Sequence, residues 1–341
     1  MRMPGAPVKG YMLQQSEREI VARIDDIGAK VGRVRQAISR VIFGQETVVE
    51  LVLINILSGG HALLIGVPGL AKTSLVDALG TTLGLQTKRI QFTPDLMPSD
   101  IVGSEVLEEK SGVRSFRFVH GPVFTQLLLA DEINRASPKT QSALLQAMQE
   151  HQVTYAGQTY DLPSPFFVLA TQNPLEQEGT YPLPEAQLDR FLLQIDVHYP
   201  SLDAERKMLF ATTGLEERRV EPVLTAEEIK VAQRLVRQIP AGDSVLEAIL
   251  QLVRSARPGT PEAGDRVDEL VAWGPGPRAS QALMLAVRAR ALIDGRFAPS
   301  VDDVVALAKP VLRHRMALTF SARTEDMTID KVIDNLVARL G

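Results

Sequence analysis

The run Gly66-Val67-Pro68-Gly69-Leu70-Ala71-Lys72-Thr73 ends in a lysine and a hydroxyl, and further along Asp131 and Glu132 stand side by side after the apolar stretch Leu127 to Ala130. Together these residue types are what phosphoryl transfer requires. A loop with glycines lets backbone N–H groups approach phosphate oxygens, and a following helix turns its positive end toward them. Lysine reaches the β- and γ-phosphates, a threonine hydroxyl sits on Mg²⁺, and two carboxylates supply a metal orienter and a base for water. Gly66, Lys72 and Thr73 match the Walker A spacing of Gly, four residues, then Gly-Lys-Ser/Thr. Ala71 stands where that pattern has glycine. The departure is mild if the residue is already helical, because alanine resists only the positive-φ angles. The expected phosphate cradle is Gly66, Pro68, Gly69, Leu70, Ala71, Lys72, Thr73 and Ser74. Thr73 and Asp131 are the expected Mg²⁺ ligands, Asp131 acting through water, and Glu132 the expected base. Each half has a plainer reading by itself: an ordinary strand-turn-helix, and two acids near a helix N-terminus. Their order on one chain favours the nucleotide reading of both.

Strands and helices must carry these groups. His61 to Val67 reads as a short apolar strand entering the loop, and Lys72 to about Leu83 as the helix leaving it. Lys88 to Phe92, Gln126 to Ala130, Phe166 to Thr171 and Phe191 to Val197 read as further strands, and Pro138 to Gln149 as a helix. Unbroken apolar strands alternating with helices imply a parallel sheet covered on both faces. Asp131 and Glu132 then lie at a strand's carboxyl end, where open α/β sheets bind ligands. Residues 100–123 hold two β-like pieces around Ser111-Gly112, and Val153 to Tyr155 with Gln158 to Leu162 read as a hairpin around Ala156-Gly157. Upstream, Ile20, Ile24, Ile27, Val31, Val34, Ile38 and Val41 fall in steps of four and three, one stripe of a helix. A second helix, Glu46 to Leu57, ends at Ser58-Gly59-Gly60, and residues 1–15 read as a loose tail. Beyond Pro200 the strand signal ends, and 225–341 reads as helices only, with a last stripe at Ile329, Val332, Ile333, Val337 and Leu340. The expected fold class is α/β: a three-layer α/β/α domain with a parallel sheet, followed by a smaller all-α domain. Its divisions are a tail and helix over 1–35, a core with two hairpin insertions over 36–200, a linker over 201–224 and a helical domain over 225–341.

Composition narrows the classes. With 341 residues, 45% hydrophobic and 23% charged, the chain can build a core without metal or disulfide staples. A net charge of -4 gives no general attraction to nucleic acid or to anionic membranes. The absence of cysteine excludes disulfides and thiol catalysis and fits a reducing, cytoplasmic setting. Met1 to Gly10 has no apolar run that would make a signal peptide, and Val48 to Leu57, broken by Glu50 and Asn55, cannot span a bilayer.

The run Ala130-Asp131-Glu132-Ile133-Asn134-Arg135-Ala136, with Gly60-His61 and the loop 66–73, resembles the MoxR family of AAA+ ATPases from about residue 36 to the C-terminus. Alanine at the Ala71 position is usual in that family. The resemblance implies Asn173, in Thr171-Gln172-Asn173-Pro174, as sensor 1, holding the attacking water or the γ-phosphate. It implies Arg190, in Leu188-Asp189-Arg190-Phe191, as an arginine finger given to the neighbouring subunit, with Arg135 the alternative; the plainer reading is a local Asp189–Arg190 pair. Arg278 falls in the first turn of a helix, where the dipole disfavours a cation. The resemblance implies sensor 2, reaching from the helical domain to the γ-phosphate and pulling that lid toward the α/β domain. Hairpins at 100–120 and 152–163 occupy places that in this branch often face the ring's centre or a partner. ATP and Mg²⁺, a hexameric ring, and a protein client, with a von Willebrand factor A domain protein as a candidate, follow by resemblance. A nucleic-acid-remodelling motor, a metal-insertion motor and a non-catalytic scaffold are the rival readings.

Overall fold

The computed structural model describes residues 8–110, 113–175, 179–214 and 219–340. The chain opens with helix α1 (Val8–Ile38), then α2 (Glu46–Ser58), strand β1 (Ala62–Ile65) and α3 (Lys72–Thr82). Next come β2 (Thr87–Gln91), α4 (Pro98–Val102), the hairpin β3 (Gly103–Lys110) and β4 (Val113–His120), and β5 (Leu127–Asp131). Helix α5 (Pro138–Glu150), the hairpin β6 (Gln152–Tyr155) and β7 (Gln158–Asp161), β8 (Phe167–Gln172), α6 (Glu185–Leu188) and β9 (Leu193–Asp196) complete the first part. The second part holds α7 (Leu202–Thr212), α8 (Ala226–Gln238), α9 (Asp243–Ser255), α10 (Val267–Leu270), β10 (Val271–Trp273) and α11 (Pro277–Ile293). It ends with α12 (Val301–Leu312), β11 (Ala317–Leu318), α13 (Phe320–Thr324) and α14 (Ile329–Val337).

Five parallel strands form one sheet in the order β2-β5-β8-β1-β9. The inner strands β1, β5 and β8 are mostly apolar because both their faces are covered, whereas the edge strand β2 exposes Lys88, Arg89 and Gln91. Ala62, Leu64, Leu127, Leu129, Leu169 and Ile195 point into one core with α1, α2, α3 and the helices of the second part. Leu63, Leu128, Ala130, Val168 and Ala170 point into another, beneath α5. Ile24, Ile27, Val31, Val34 and Ile38 of α1 are buried, so the stripe packs on the chain's own domain. Helix α2 stops where Gly59 turns left-handed at φ 77 and its N–H returns to the Ile56 carbonyl.

Three expectations change. Of the loose tail expected over 1–15, residues 1–7 lie outside the described residues, as does the turn at Ser111-Gly112, and 8–15 belong to α1. The expected linker over 201–224 contains α7. The second part is not purely helical: β10 and β11 form an antiparallel ribbon, Val271 opposite Leu318. Strands of three and two residues are too short to carry an alternation pattern. Helix α11 of this lid packs on α1, α2, α8, α9 and α12, so the lid and one face of the sheet share a single core.

Candidate active site

The register of the sheet brings the expected loop and the two acids to one end, the carboxyl end of the strands. Ile65, the last residue of β1, lies opposite Gln172 of β8 and Asp196 of β9. Asp131 ends β5 opposite Gln91 of β2. The loop 66–71 therefore leaves the sheet beside Asp131, Glu132, Thr171 and Asn173. Gly66 continues the pairing by donating its N–H to the Gln172 carbonyl at 3.2 Å, and a Cβ there would lie 2.7 Å from the Val197 carbonyl oxygen. Only glycine fits that approach. Gly69 is left-handed at φ 85 with open space where a side chain would be. Ala71, immediately before α3, is also left-handed, at φ 56 and ψ 24. The condition under which the departure from glycine would be mild, an already helical residue, is therefore not met: Ala71 holds the conformation that glycine takes most easily.

Lys72 tucks back into the loop, its Nζ donating to the Gly66 carbonyl at 2.7 Å. Burial pulls its pKa below the ordinary lysine value, while Asp131 and Glu132 pull the other way, so ammonium and carboxylates lie within electrostatic reach. Thr73 and Ser74 open the first turn of α3. One carboxylate and one hydroxyl are the sparse protein ligands that Mg²⁺ takes when phosphates and waters complete its shell. Among the described residues no group of three or more His, Cys, Asp or Glu could hold a metal by itself.

The two acids are held from several sides. Arg89 donates to Asp131 at 2.7 Å, and the Thr171 hydroxyl donates to the other carboxylate oxygen at 2.5 Å. The same hydroxyl accepts the Glu132 N–H at 2.8 Å. Glu132 itself is left-handed at φ 56, a strained position for a non-glycine residue that this bond stabilises. Its carboxylate accepts from Gln91 at 2.7 Å and Arg135 at 3.0 Å. Asn173 is buried, its Oδ1 accepting the Leu175 N–H at 3.1 Å. Arg135, the alternative finger, thus lies beside its own chain's Glu132.

Arg190 and Arg278 lie elsewhere. Both line a cavity of about 270 Å³ with Gly60, His61 and Asp189, residues that precede β1 and β9. They sit at the amino-terminal end of the sheet, opposite Lys72 and Asp131. The expectation that Arg278 reaches a phosphate on its own chain's loop is corrected for this reason. Packing of α11 against α2 fixes the lid at the wrong end of β1 for that contact. The plainer reading, a local Asp189–Arg190 pair, is not what the structure holds. Asp189 binds Arg315 at 2.8 Å and faces Arg278 at 3.7 Å, while Arg190 donates to the Leu145 carbonyl at 2.9 Å.

Sequence reasoning missed Thr171, Arg89, Gln91 and Arg315 as site residues. Thr171 left one signal, a polar residue ending the apolar run Phe166 to Ala170. Arg315 left none, since Arg313-His314-Arg315 reads as an exposed basic turn although Arg315 is buried.

Comparison with known proteins agrees with this architecture. The sequence model described as "ATPase family associated with various cellular activities (AAA)" matches residues 61–193, and an AAA lid domain model matches 263–336. The chain is 40% identical to Chaperone MoxR1 of Mycobacterium tuberculosis over 92% of its own length and 83% of that protein. It is 31% identical to Protein MoxR of Methylorubrum extorquens, over 87% and 90%. A crystal structure of a candidate ATPase from Cytophaga hutchinsonii superimposes with a TM-score of 0.87 at 35% identity, covering 96% of this chain and 98% of that one.

Proposed function

The chain belongs to the MoxR family of AAA+ ATPases, and from that premise we propose that it hydrolyses ATP with Mg²⁺ at a site shared between two subunits of a ring. The observation that carries this is the separation of two half-sites. Lys72, Asp131 and Glu132 lie at the carboxyl end of the sheet, and Arg190 and Arg278 at the other. One chain then presents a phosphate cradle on one side and two arginines on the opposite side. Head-to-tail contact of copies joins the halves, and such contacts close into rings; we take the ring as a hexamer.

In this reading the loop N–H groups and Lys72 bind the β- and γ-phosphates. Thr73 and Asp131 would hold Mg²⁺, which when bound neutralises phosphate charge. Glu132 accepts a proton from the attacking water, and Asn173 orients that water. The neighbour's Arg190 and Arg278 stabilise charge on the transferred group, a contribution worth ~10³–10⁵ in rate for arginine fingers.

The work done is chaperone-like remodelling of a protein client. The β3–β4 hairpin exposes Val106, Leu107 and Phe116. Phe118 at its base stacks on Tyr160 of the second hairpin at 4.4 Å between ring centroids. These bare side chains on a supported hairpin are the surface we assign to the client, with a von Willebrand factor A domain protein as the candidate. No helix among the described residues is long and apolar enough to cross a membrane. We place the ring in the cytoplasm. The test is Glu132→Gln, assayed for ATP binding and turnover: binding should survive and turnover should vanish. Turnover at the unaltered rate would remove Glu132 as the base.

A further inference from the structure

The cavity holding Arg190 and Arg278 contains a third guanidinium, Arg315, and one carboxylate, Asp189. Three positive groups against one negative leave an excess of two positive charges. Arg315 is 2% exposed. Its Nε donates to the Asp189 carboxylate at 2.8 Å, Nη1 to the Leu192 carbonyl at 3.1 Å and the Val311 carbonyl at 2.5 Å, and Nη2 to the carbonyls of Phe191 at 2.6 Å and Asp189 at 3.4 Å. A guanidinium has five N–H donors, and all five are committed. Arg315 has none left for a ligand.

Those bonds grip the chain on both sides of Arg190, at Asp189 before it and at Phe191 and Leu192 after it. Next to Arg315, the His314 ring Nε2 contacts the Phe191 carbonyl at 2.9 Å. The second Asp189 carboxylate oxygen faces Arg278 at 3.7 Å. The carboxylate thus stands between an arginine that is locked in place and one that is half exposed, the geometry of an exchangeable partner.

We propose that Asp189 and Arg315 are positioning residues: Arg315 locks the turn that carries Arg190, and Asp189 holds Arg278 aimed into the cavity until an incoming dianionic phosphate takes its place. This rests on the reading that the phosphate belongs to a neighbouring subunit's nucleotide. The Asp189–Arg315 pair touches no substrate, and its effect passes through the two arginines.

The test pairs Asp189→Asn with Arg315→Gln, which removes both charges together and keeps amide hydrogen bonding, so that no buried charge is left alone. Arg315→Lys, which keeps the charge but loses the fork, serves as the second variant should the first not fold. The expected result is kcat lowered about tenfold or more with the KM for ATP changed by no more than about twofold, since cradle and base are intact. Mixing with Glu132→Gln subunits should restore part of the activity, because those subunits present an intact arginine face to an intact base. Full kcat in the folded variant would overturn the proposal and leave the pair as a lid staple. So would lost activity that mixing does not recover while Arg190→Ala is recovered. Full activity in both Arg190→Ala and Arg278→Ala is a different failure, that of the shared-site reading itself.

Discussion

The Thr171 hydroxyl donates to the Asp131 carboxylate at 2.5 Å, and the same oxygen accepts the backbone N–H of Glu132. One fully buried side chain on β8 therefore fixes both acids of β5, in orientation and in backbone conformation. Thr171→Val keeps the shape and removes the hydroxyl. It leaves the Glu132 N–H without its partner at a strained φ, so stability should fall by about 1–3 kcal/mol. Turnover should fall about tenfold or more while ATP binding persists, and Thr171→Ser should recover both. Denaturant unfolding and steady-state kinetics read the two effects; unchanged kcat in Thr171→Val would mean that the acids hold themselves.

Ala71 adopts left-handed angles at a cost of roughly 1–2 kcal/mol for an L-residue. Ala71→Gly relieves that strain but adds unfolded-chain entropy worth about 0.4–1 kcal/mol. The difference predicts a net gain of up to about 1.5 kcal/mol, with ATPase activity retained. A β-branched substitution such as Ala71→Val should instead destabilise the loop. Unfolding midpoints of the three proteins decide the matter, and a loss of stability in Ala71→Gly would contradict the strain argument.

Arg190→Ala should abolish turnover alone and regain part of it when mixed with Glu132→Gln subunits. Each variant is defective in a different half-site, so some mixed interfaces join an intact cradle to an intact arginine face. Mixing is confirmed by size and by tagged co-purification. No recovery in demonstrated mixed rings would place the action of Arg190 within its own chain.

His61 is buried, with burial pulling its pKa to about 4 and His151 adding to the effect. Its Nδ1 accepts the Val168 N–H at 3.0 Å, so in the neutral ring Nε2 donates to the Met148 carbonyl at 3.1 Å. A proton on Nδ1 would break the first bond. The folded state therefore binds its proton less readily than the unfolded state, whose histidine titrates near 6.5. The stability that His61 contributes is complete above pH 6.5 and is lost as pH falls from there toward about 4. His314, buried beside Arg315 and also depressed, acts in the same direction. Between pH 7.5 and 5.5 the His61 contribution should fall by about 1 kcal/mol, before the carboxylates begin to titrate, and His314 should add to the loss. Unfolding free energies at the two pH values measure this; equal values would show that the histidines are charged or exposed.

The sheet was readable from the sequence because every strand but β2 is buried on both faces, and an unbroken apolar run such as Leu127 to Ala130 leaves little ambiguity. The loop 66–73 and the pair Asp131-Glu132 were readable because their spacing is itself the chemistry. What escaped notice depends on partners far away in the chain. Arg315 binds carbonyls more than 120 residues upstream, and nothing in its local sequence points to them. The place of Arg278 followed from where α11 packs, against α2 rather than over the loop, and local periodicity carries no information about that choice. Thr171 was visible only as a polar end to a strand, and its two bonds required the register of β5 against β8.

The most direct test of the central claim is the rate of Mg-ATP hydrolysis per subunit measured against protein concentration, with particle size followed in parallel by light scattering. A site shared between subunits predicts a specific rate that rises as assemblies form and levels off once they are complete. A rate independent of concentration, from a species that stays monomeric, would mean that one chain completes the site by itself, and would contradict the account.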